Sequence, residues 1–182
     1  VSVLNYTIVE TNPSRCWYSN NSGTNNYSIQ TAGTNFSNVI SVEGSNTWIV
    51  YCNDTTGNTN SSSVTFTKDT IYPQWSSNST NSTLAGTQIK HNVKWIDDTA
   101  LSGYIFSFDN GTGTFTNDSF VSMIGTTNWS NVTKGVNTTV GSTIQWKVYA
   151  NDSSNNLNVT SGFSYVTTAP PDATAPVLTI IS

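Results

Sequence analysis

The chain has 182 residues, a formal net charge of −4 and only 9% charged residues, while 12% of its residues are aromatic. Soluble domains typically carry about 25% charged residues, and disordered chains are charged and poor in aromatics. The composition therefore indicates folded domains kept soluble by something other than ionic side chains. With six Lys and Arg residues in total, no nucleic-acid partner is expected. No run approaches the roughly eighteen apolar residues of a membrane span, and the start at Val1 without a leader pattern indicates a mature or excised segment.

Short segments that alternate apolar and polar residues, separated by Asn, Asp, Gly and Ser turns, predict β-strands along the whole chain. In immunoglobulin-style letters, the first domain has predicted strands B at about 3–9, C at 15–19, E at 36–42, F at 47–53 and G at 62–68. The second domain has A at about 74–77, B at 87–96, C at 103–108, an edge strand near Phe115 and Phe120, E at 129–134, F at 143–151 and G at 159–167. This spacing predicts an all-β protein of two tandem immunoglobulin-like β-sandwiches.

An internal duplication supports this division. The segment Val50-Tyr51-Cys52-Asn53-Asp54 recurs as Val148-Tyr149-Ala150-Asn151-Asp152, and residues 16–19 align with residues 104–107. The block that begins at Phe36 aligns with the block that begins at Trp129. We therefore predict domains at 1–69 and 70–168, followed by a linker and a further strand at 169–182.

The two ends of the chain differ by one predicted strand. Strand A of the second domain follows the boundary motif Asp69-Thr70-x-x-Pro73, whereas the first domain enters strand B almost directly. The same kind of boundary returns at Asp172-x-x-x-Pro176, and the apolar segment after it is Val177, Leu178, Thr179, Ile180 and Ile181. A sandwich without an edge strand exposes an apolar groove and unpaired backbone groups. A free β-prone apolar segment is in turn an aggregation hazard.

Strand addition removes both problems if residues 177–181 of one copy complete the first domain of the next copy. Such a head-to-tail contact does not close on itself and propagates a fibre. We therefore predict donor-strand complementation between identical subunits. The alternative is that these residues are one window of a longer tandem-repeat polypeptide, in which the covalent neighbour supplies the same strand.

The two cysteines, Cys16 in strand C and Cys52 in strand F, lie on strands that are neighbours in such sandwiches. The second domain has Tyr104 and Ala150 at the matching positions, so both cysteines are absent together, as a bonded pair predicts. A disulfide would stabilise the first domain by roughly 3 to 4 kcal/mol and would indicate an oxidising exterior. A free thiol pair or metal pair is the weaker alternative, because no histidine accompanies the cysteines.

Fifteen Asn-x-Ser/Thr sequons are present, about twice the number that the Asn, Ser and Thr content gives by chance. N-linked glycans would supply the hydrated coat that a chain so poor in charge needs. We expect about half or more of the sequons to be occupied, although Asn53 and Asn151 are also candidates for turn residues. The predicted sites are Asn5, Asn20, Asn26, Asn35, Asn53, Asn60, Asn78, Asn81, Asn110, Asn117, Asn128, Asn131, Asn137, Asn151 and Asn158.

No catalytic or metal site is expected, and we predict that the protein is not an enzyme. The single histidine, His91, lies in mid-strand, and no nucleophile elbow or phosphate loop occurs. Six aspartates fall at predicted turns, where turn chemistry is the main interpretation and a calcium site near Asp97 and Asp98 the alternative. These residues are Asp54, Asp97, Asp98, Asp109, Asp152 and Asp172. A set of aromatic residues is expected to pack in the cores, with a sugar-binding platform as the alternative: Trp17, Tyr18, Trp48, Trp75, Trp95, Trp129 and Trp146.

Three segments, Cys16-Trp17-Tyr18-Ser19, Val50-Tyr51-x-Asn53-Asp54-x-x-Gly57-Asn58 and Asp69-Thr70-x-x-Pro73, resemble the Ig-like repeats of archaeal cell-surface proteins, over nearly the full chain. Such repeats occur in S-layer-associated proteins, adhesins and surface filaments. The displaced first strand resembles donor-strand-assembled archaeal threads and pili. The second domain departs from the pattern, because Asn155 replaces Gly57 and the cysteines are absent.

The resulting hypothesis is a structural subunit of a glycosylated filament at the outer cell surface. Its expected partners are identical neighbouring subunits and N-linked glycans, and no cofactor is expected. The alternatives are a segment of a long tandem-repeat or S-layer-associated protein and a carbohydrate-binding adhesin.

Overall fold

The computed structural model describes residues 3–180, which form β-strands and connecting loops without a helix. The chain divides into two compact units, Val1–Thr70 and Ile71–Ser182. No helix that could cross a membrane is found in the described part of the chain. Ile181, the last residue of the predicted donor strand, lies outside the described residues.

The described residues of the first unit form six strands in two sheets. They are β1 (Val3–Leu4), β2 (Pro13–Ser19), β3 (Tyr27–Thr31), β4 (Phe36–Ser37), β5 (Gly44–Asp54) and β6 (Thr59–Lys68). One sheet has the order β3-β2-β5-β6, and β1 pairs with β4 in the other. Strands β2, β5 and β6 correspond to the predicted strands C, F and G, whereas β3 is an edge strand that the sequence analysis missed.

A small core joins the two layers of this unit. Its buried residues are Leu4, Cys16, Tyr18, Phe36, Val39, Trp48 and Val50. Cys16 and Cys52 lie opposite each other on β2 and β5 and form a disulfide, with their Cα atoms 4.1 Å apart. The predicted disulfide is therefore present, and it ties strand C to strand F.

Strands B and E of the first unit are much shorter than predicted. The sequence predicts strands over 3–9 and 36–42, whereas the ladder contains only Val3 opposite Ser37 and Leu4 opposite Phe36. Asn38 has a φ of 58°, a left-handed conformation that Asn tolerates, and this turn ends β4. Residues 5–10 lie outside any ladder, because in this antiparallel register residues 5–9 would lie opposite residues 31–35, which contain the turn at Gly33 (φ 88°).

The second unit has nine strands in two sheets. They are β7 (Gln74–Thr80), β8 (Gln88–Ile96), β9 (Leu101–Asp109), β10 (Thr116–Asn117), β11 (Val121–Ser122), β12 (Thr127–Gly135), β13 (Thr143–Asp152), β14 (Leu157–Val159) and β15 (Phe163–Val166). One sheet has the order β12-β8-β7, which corresponds to strands E, B and A. In the other sheet β9 pairs with β13, and β10 and β11 extend it on one side and β14 and β15 on the other. This is the predicted sandwich, with strand G split in two.

Every second side chain of the central strand β13 points into the core of the second unit. In β13 every second residue from Ile144 to Asp152 is buried, because successive side chains of a strand point to opposite faces. The core contains thirteen buried residues, compared with seven in the first unit, so the first unit has less apolar cover between its layers. The thirteen are Ile89, Val93, Trp95, Leu101, Tyr104, Phe106, Phe108, Met123, Val136, Ile144, Trp146, Val148 and Ala150.

The predicted alignment of the two E strands is wrong. Phe36 is fully buried, whereas Trp129 is 41% exposed and its neighbour Ser130 is buried. A shift of one residue in a strand moves every side chain to the opposite face. Phe36 and Trp129 therefore do not occupy equivalent positions.

His91 lies on β8 inside the core of the second unit. Its ring centroid is 5.1–5.7 Å from those of Phe106, Phe108 and Trp146, and its Nε2 lies 3.2 Å from the hydroxyl of Tyr165. Burial among these rings lowers the pKa of His91 to about 4, because an imidazolium would lose its hydration there. The histidine is thus a packed core residue.

This burial predicts a specific loss of stability in mild acid. Between pH 6.5 and 4 the unfolded chain binds a proton at His91 that the folded unit does not, so the free energy of unfolding should fall by about 2 to 3 kcal/mol as pH decreases through this window. Urea unfolding between pH 4 and 7 measures the effect. A His91→Leu variant is the control, because it has no group to protonate; an equal slope in both proteins would contradict the assignment.

Candidate docking site

The hairpins that join strands F and G are the same structure in both units. Asp54 and Asp152 each accept, through Oδ1, hydrogen bonds from the backbone N–H groups two and four residues later. Gly57 and Asn155 occupy the same place with φ values of 93° and 66°, so Asn supplies the left-handed residue where Gly is replaced. Hydrogen bonds, chiefly from the side chain of Asn58, lower the pKa of Asp54 to about 2, which keeps this turn charged at neutral pH.

The register of these hairpins makes Asn60 and Asn158 equivalent. Cys52 pairs with Asn60 between β5 and β6, and Ala150 pairs with Asn158 between β13 and β14. Because Cys52 and Ala150 are also matched in the sequence repeat, both the strand position and the cross-strand partner agree. Contacts of Asn158 therefore indicate what the surroundings of Asn60 are built to bind.

Strand A of the second unit is held in two ways. Strand β7 forms an antiparallel ladder with β8, in which Trp75 lies opposite Trp95, and the Trp75 ring packs edge-on against Phe163 at 5.5 Å. At the start of the strand, Asn158 Nδ2 donates a 2.7 Å hydrogen bond to the backbone oxygen of Pro73. The first strand thus bridges strand B of one sheet and strand G of the other.

The first unit has an open cleft between its B segment and its strands F and G. The cleft has a volume of about 330 Å³ and is lined by residues 6–10 on one side and, on the other, by Val50, Cys52 and the polar residues 53, 54 and 58–62, which include Asn60. Tyr6 and Ile8 pack against the core below it. In the described part of the chain, no hydrogen bond joins the backbone of residues 7–9 to another segment. The cleft therefore combines a small apolar floor, a polar wall and an unpaired backbone segment, at the position that corresponds to strand A of the second unit.

Residues 177–180 complete neither sandwich of their own chain. Residues 177–180 form no strand, and Val177, Leu178 and Ile180 are 92%, 88% and 91% exposed. Such exposure is what a donor strand has before it meets an acceptor. The first residue after the boundary proline is the exposed Gln74 in strand A and Val177 in the C-terminal segment. The second residue is the inward-facing Trp75 in strand A and Leu178 in the segment.

None of the fifteen sequon asparagines is buried, but they differ in how their side-chain amides are used. Eight are exposed: Asn5, Asn26, Asn35, Asn60, Asn78, Asn81, Asn117 and Asn131. Six of the half-buried ones donate through Nδ2 to another residue: Asn20, Asn110, Asn128, Asn137, Asn151 and Asn158. The seventh, Asn53, accepts the backbone N–H of Arg15.

The other candidate residues have packing or turn roles. Five of the six aspartates accept backbone hydrogen bonds at their turns, as turn chemistry predicts: Asp54, Asp97, Asp109, Asp152 and Asp172. Asp98 is exposed. Trp48, Trp95 and Trp146 are buried, whereas Trp17 is half-buried and stacks on Tyr51 with ring centroids 5.7 Å apart. Only part of the aromatic set therefore lies in the cores.

No protein-family model and no curated protein matches this chain. Among solved structures, the chain is similar to the fibronectin(III)-like modules of CbhA from Clostridium thermocellum, with 14% sequence identity and a TM-score of 0.41. The match covers 90% of this chain and 83% of that chain. The sandwich architecture described above therefore rests on the strand order and register of this chain itself.

We expect glycan occupancy to follow access to the Asn Nδ2 atom, because that atom carries the sugar. The exposed sequons other than Asn60, which lines the cleft, should be largely occupied, and the six whose Nδ2 donates a hydrogen bond should be largely bare. Site-resolved glycopeptide mass spectrometry of the protein from its native source measures this. Equal occupancy in the two groups would show that attachment ignores the folded structure.

Proposed function

We propose that this chain is a structural, non-enzymatic subunit of a glycosylated extracellular filament, assembled head to tail by strand addition. Residues 177–181 of one subunit would enter the cleft of the first unit of the next subunit. The observation that carries the proposal is the equivalence of this cleft to the place of strand A in the second unit, together with an exposed apolar segment that follows the same kind of boundary motif.

Strand addition would satisfy the groups that the isolated first unit leaves open. The free backbone edge at residues 7–9 would gain a ladder, as β8 does from β7. Burial of Leu178 at the position of Trp75 would contribute roughly 1.5 to 3 kcal/mol. A head-to-tail contact leaves one free cleft and one free segment at the ends, so it propagates rather than closes.

The disulfide and the sequons support a location outside the cell. Disulfides persist in oxidising compartments, and Cys16 and Cys52 form one here. Fifteen non-buried sequons could carry the hydrated coat that a surface with few charges needs. In a longer tandem-repeat protein at the cell surface the same strand would come from the preceding repeat, with the same local packing.

Adjacent substitutions in the docking segment test the proposal most directly. Leu178→Gln places an amide at the inward position of Trp75, whereas Val177→Gln only repeats the exposed Gln74. We expect Leu178→Gln, and a chain ending at Thr168, to stay monomeric, while Val177→Gln assembles like the unmodified chain. Size-exclusion chromatography and negative-stain electron microscopy provide the measurement.

Fibres formed by the chain ending at Thr168 would show that the segment is not the connector. A denaturing gel of the deglycosylated native protein separates the two forms of the proposal. A polypeptide near 19.6 kDa indicates subunits, and a much longer one indicates a covalent array.

Carbohydrate binding is a second candidate, and the 41% exposure of Trp129 on β12 is the observation that favours it. An exposed Trp can stack on a sugar ring. Glycan-array binding that disappears in a Trp129→Ala variant would support this role, and an array without hits would remove it.

A further inference from the structure

We infer that Asn60 sets the register of the docking segment, by donating a hydrogen bond from Nδ2 to the backbone oxygen of Pro176 in the next copy. As a consequence, the sequon at Asn60 carries no glycan in assembled protein. The inference rests on the proposed function, because it concerns how the same cleft recognises its strand.

The second unit contains the template for this contact. Asn158 Nδ2 donates to the Pro73 oxygen at 2.7 Å, directly before the first residue of β7. Asn60 has the equivalent cross-strand partner in the first unit and lines the cleft. Pro176 is the proline that precedes the docking segment, as Pro73 precedes strand A.

The Asn60 amide is already oriented for the contact. Its Oδ1 accepts the backbone N–H of Ser61 at 2.8 Å, and the Oδ1 of Asn158 accepts the backbone N–H of Val159 at the same distance. With the oxygen fixed in this way, Nδ2 is the atom left to meet an incoming carbonyl. Asn60 is itself exposed, so the donor is accessible to another chain.

A contact at Pro176 specifies which face of the segment turns inward. A slip of one residue would place Val177 or Thr179 instead of Leu178 at the inward-facing position of Trp75. The free edge at residues 7–9 cannot prevent such a slip alone, because backbone ladders are indifferent to side chains. A single side-chain donor aimed at the carbonyl that starts the strand removes this ambiguity.

Glycosylation and docking compete for one atom. The sugar of an N-linked glycan is attached to Nδ2, and at Asn60 it would stand in the cleft where the segment enters. Asn158 is a sequon with the same conflict, and its Nδ2 is already engaged inside the unit. Exposure of the side chain alone predicts that Asn60 carries a glycan, whereas docking of the segment predicts that it does not. The two criteria therefore give opposite expectations at this residue.

A peptide-binding experiment tests the role of the amide. The acceptor is the unglycosylated chain ending at Thr168, which keeps all fifteen strands, and the probe is a fluorescent peptide of residues 172–182. We expect Asn60→Asp and Asn60→Ala to weaken binding about fivefold or more. Asn26→Asp is the matched control, because Asn26 is an exposed sequon asparagine of the same unit that does not line the cleft, and it should bind like the unmodified acceptor.

The outcomes separate this inference from the proposed function. If the unmodified acceptor does not bind the peptide, strand addition itself fails. If it binds and both Asn60 variants bind equally well, docking stands and the role of Asn60 is refuted. Thermal unfolding of the variants should be unchanged, which excludes a folding defect, and an occupied Asn60 in purified filaments would overturn the inference independently.

Discussion

The structure depends on one constraint: the backbone of an edge strand and the apolar faces between two sheets must both be covered. In the second unit strand β7 meets this need, with a ladder to β8 and the Trp75 ring against Phe163. In the first unit the B segment lies outside any ladder after Leu4, and no strand equivalent to β7 is found among the described residues. A strand in the cleft would supply the backbone partner and the apolar cover together.

The two units differ in core size and in disulfide content, and both differences follow from the incomplete strand cover of the first unit. The first unit has the smaller core and the disulfide between Cys16 and Cys52, and the second has the larger core, its own strand A and no cysteines. A cross-link stabilises a fold mainly by restricting the unfolded chain. It acts without any partner, so under the proposed assembly it would stabilise the first unit before the strand of another copy is bound.

The sequence predicts those features that depend on local pattern. The F strands, their identical Asp turns and the C–F disulfide follow from alternation, from Asp and Gly chemistry and from the paired absence of both cysteines. It does not predict the end of strand E in the first unit, because one left-handed residue, Asn38, stops β4 without a Gly or Pro to mark it. It also does not predict the end of strand B, because the residues that would lie opposite residues 5–9 contain the turn at Gly33. The E alignment failed for a related reason: Phe36 and Trp129 match in type, but the face on which a strand residue lies is fixed by pairing.

Asn60 illustrates the limit of motif reading for function. As sequence, Asn60-Ser61-Ser62 is one of fifteen equivalent sequons. In the fold, it shares its cross-strand position and its Oδ1 contact with Asn158, whose Nδ2 fixes the start of a strand. A surface coated with glycans leaves few places where another chain can approach within hydrogen-bond distance. Such a place must be free of sugar in the filament, because an amide nitrogen that carries a glycan cannot also enter the cleft contact with the partner strand.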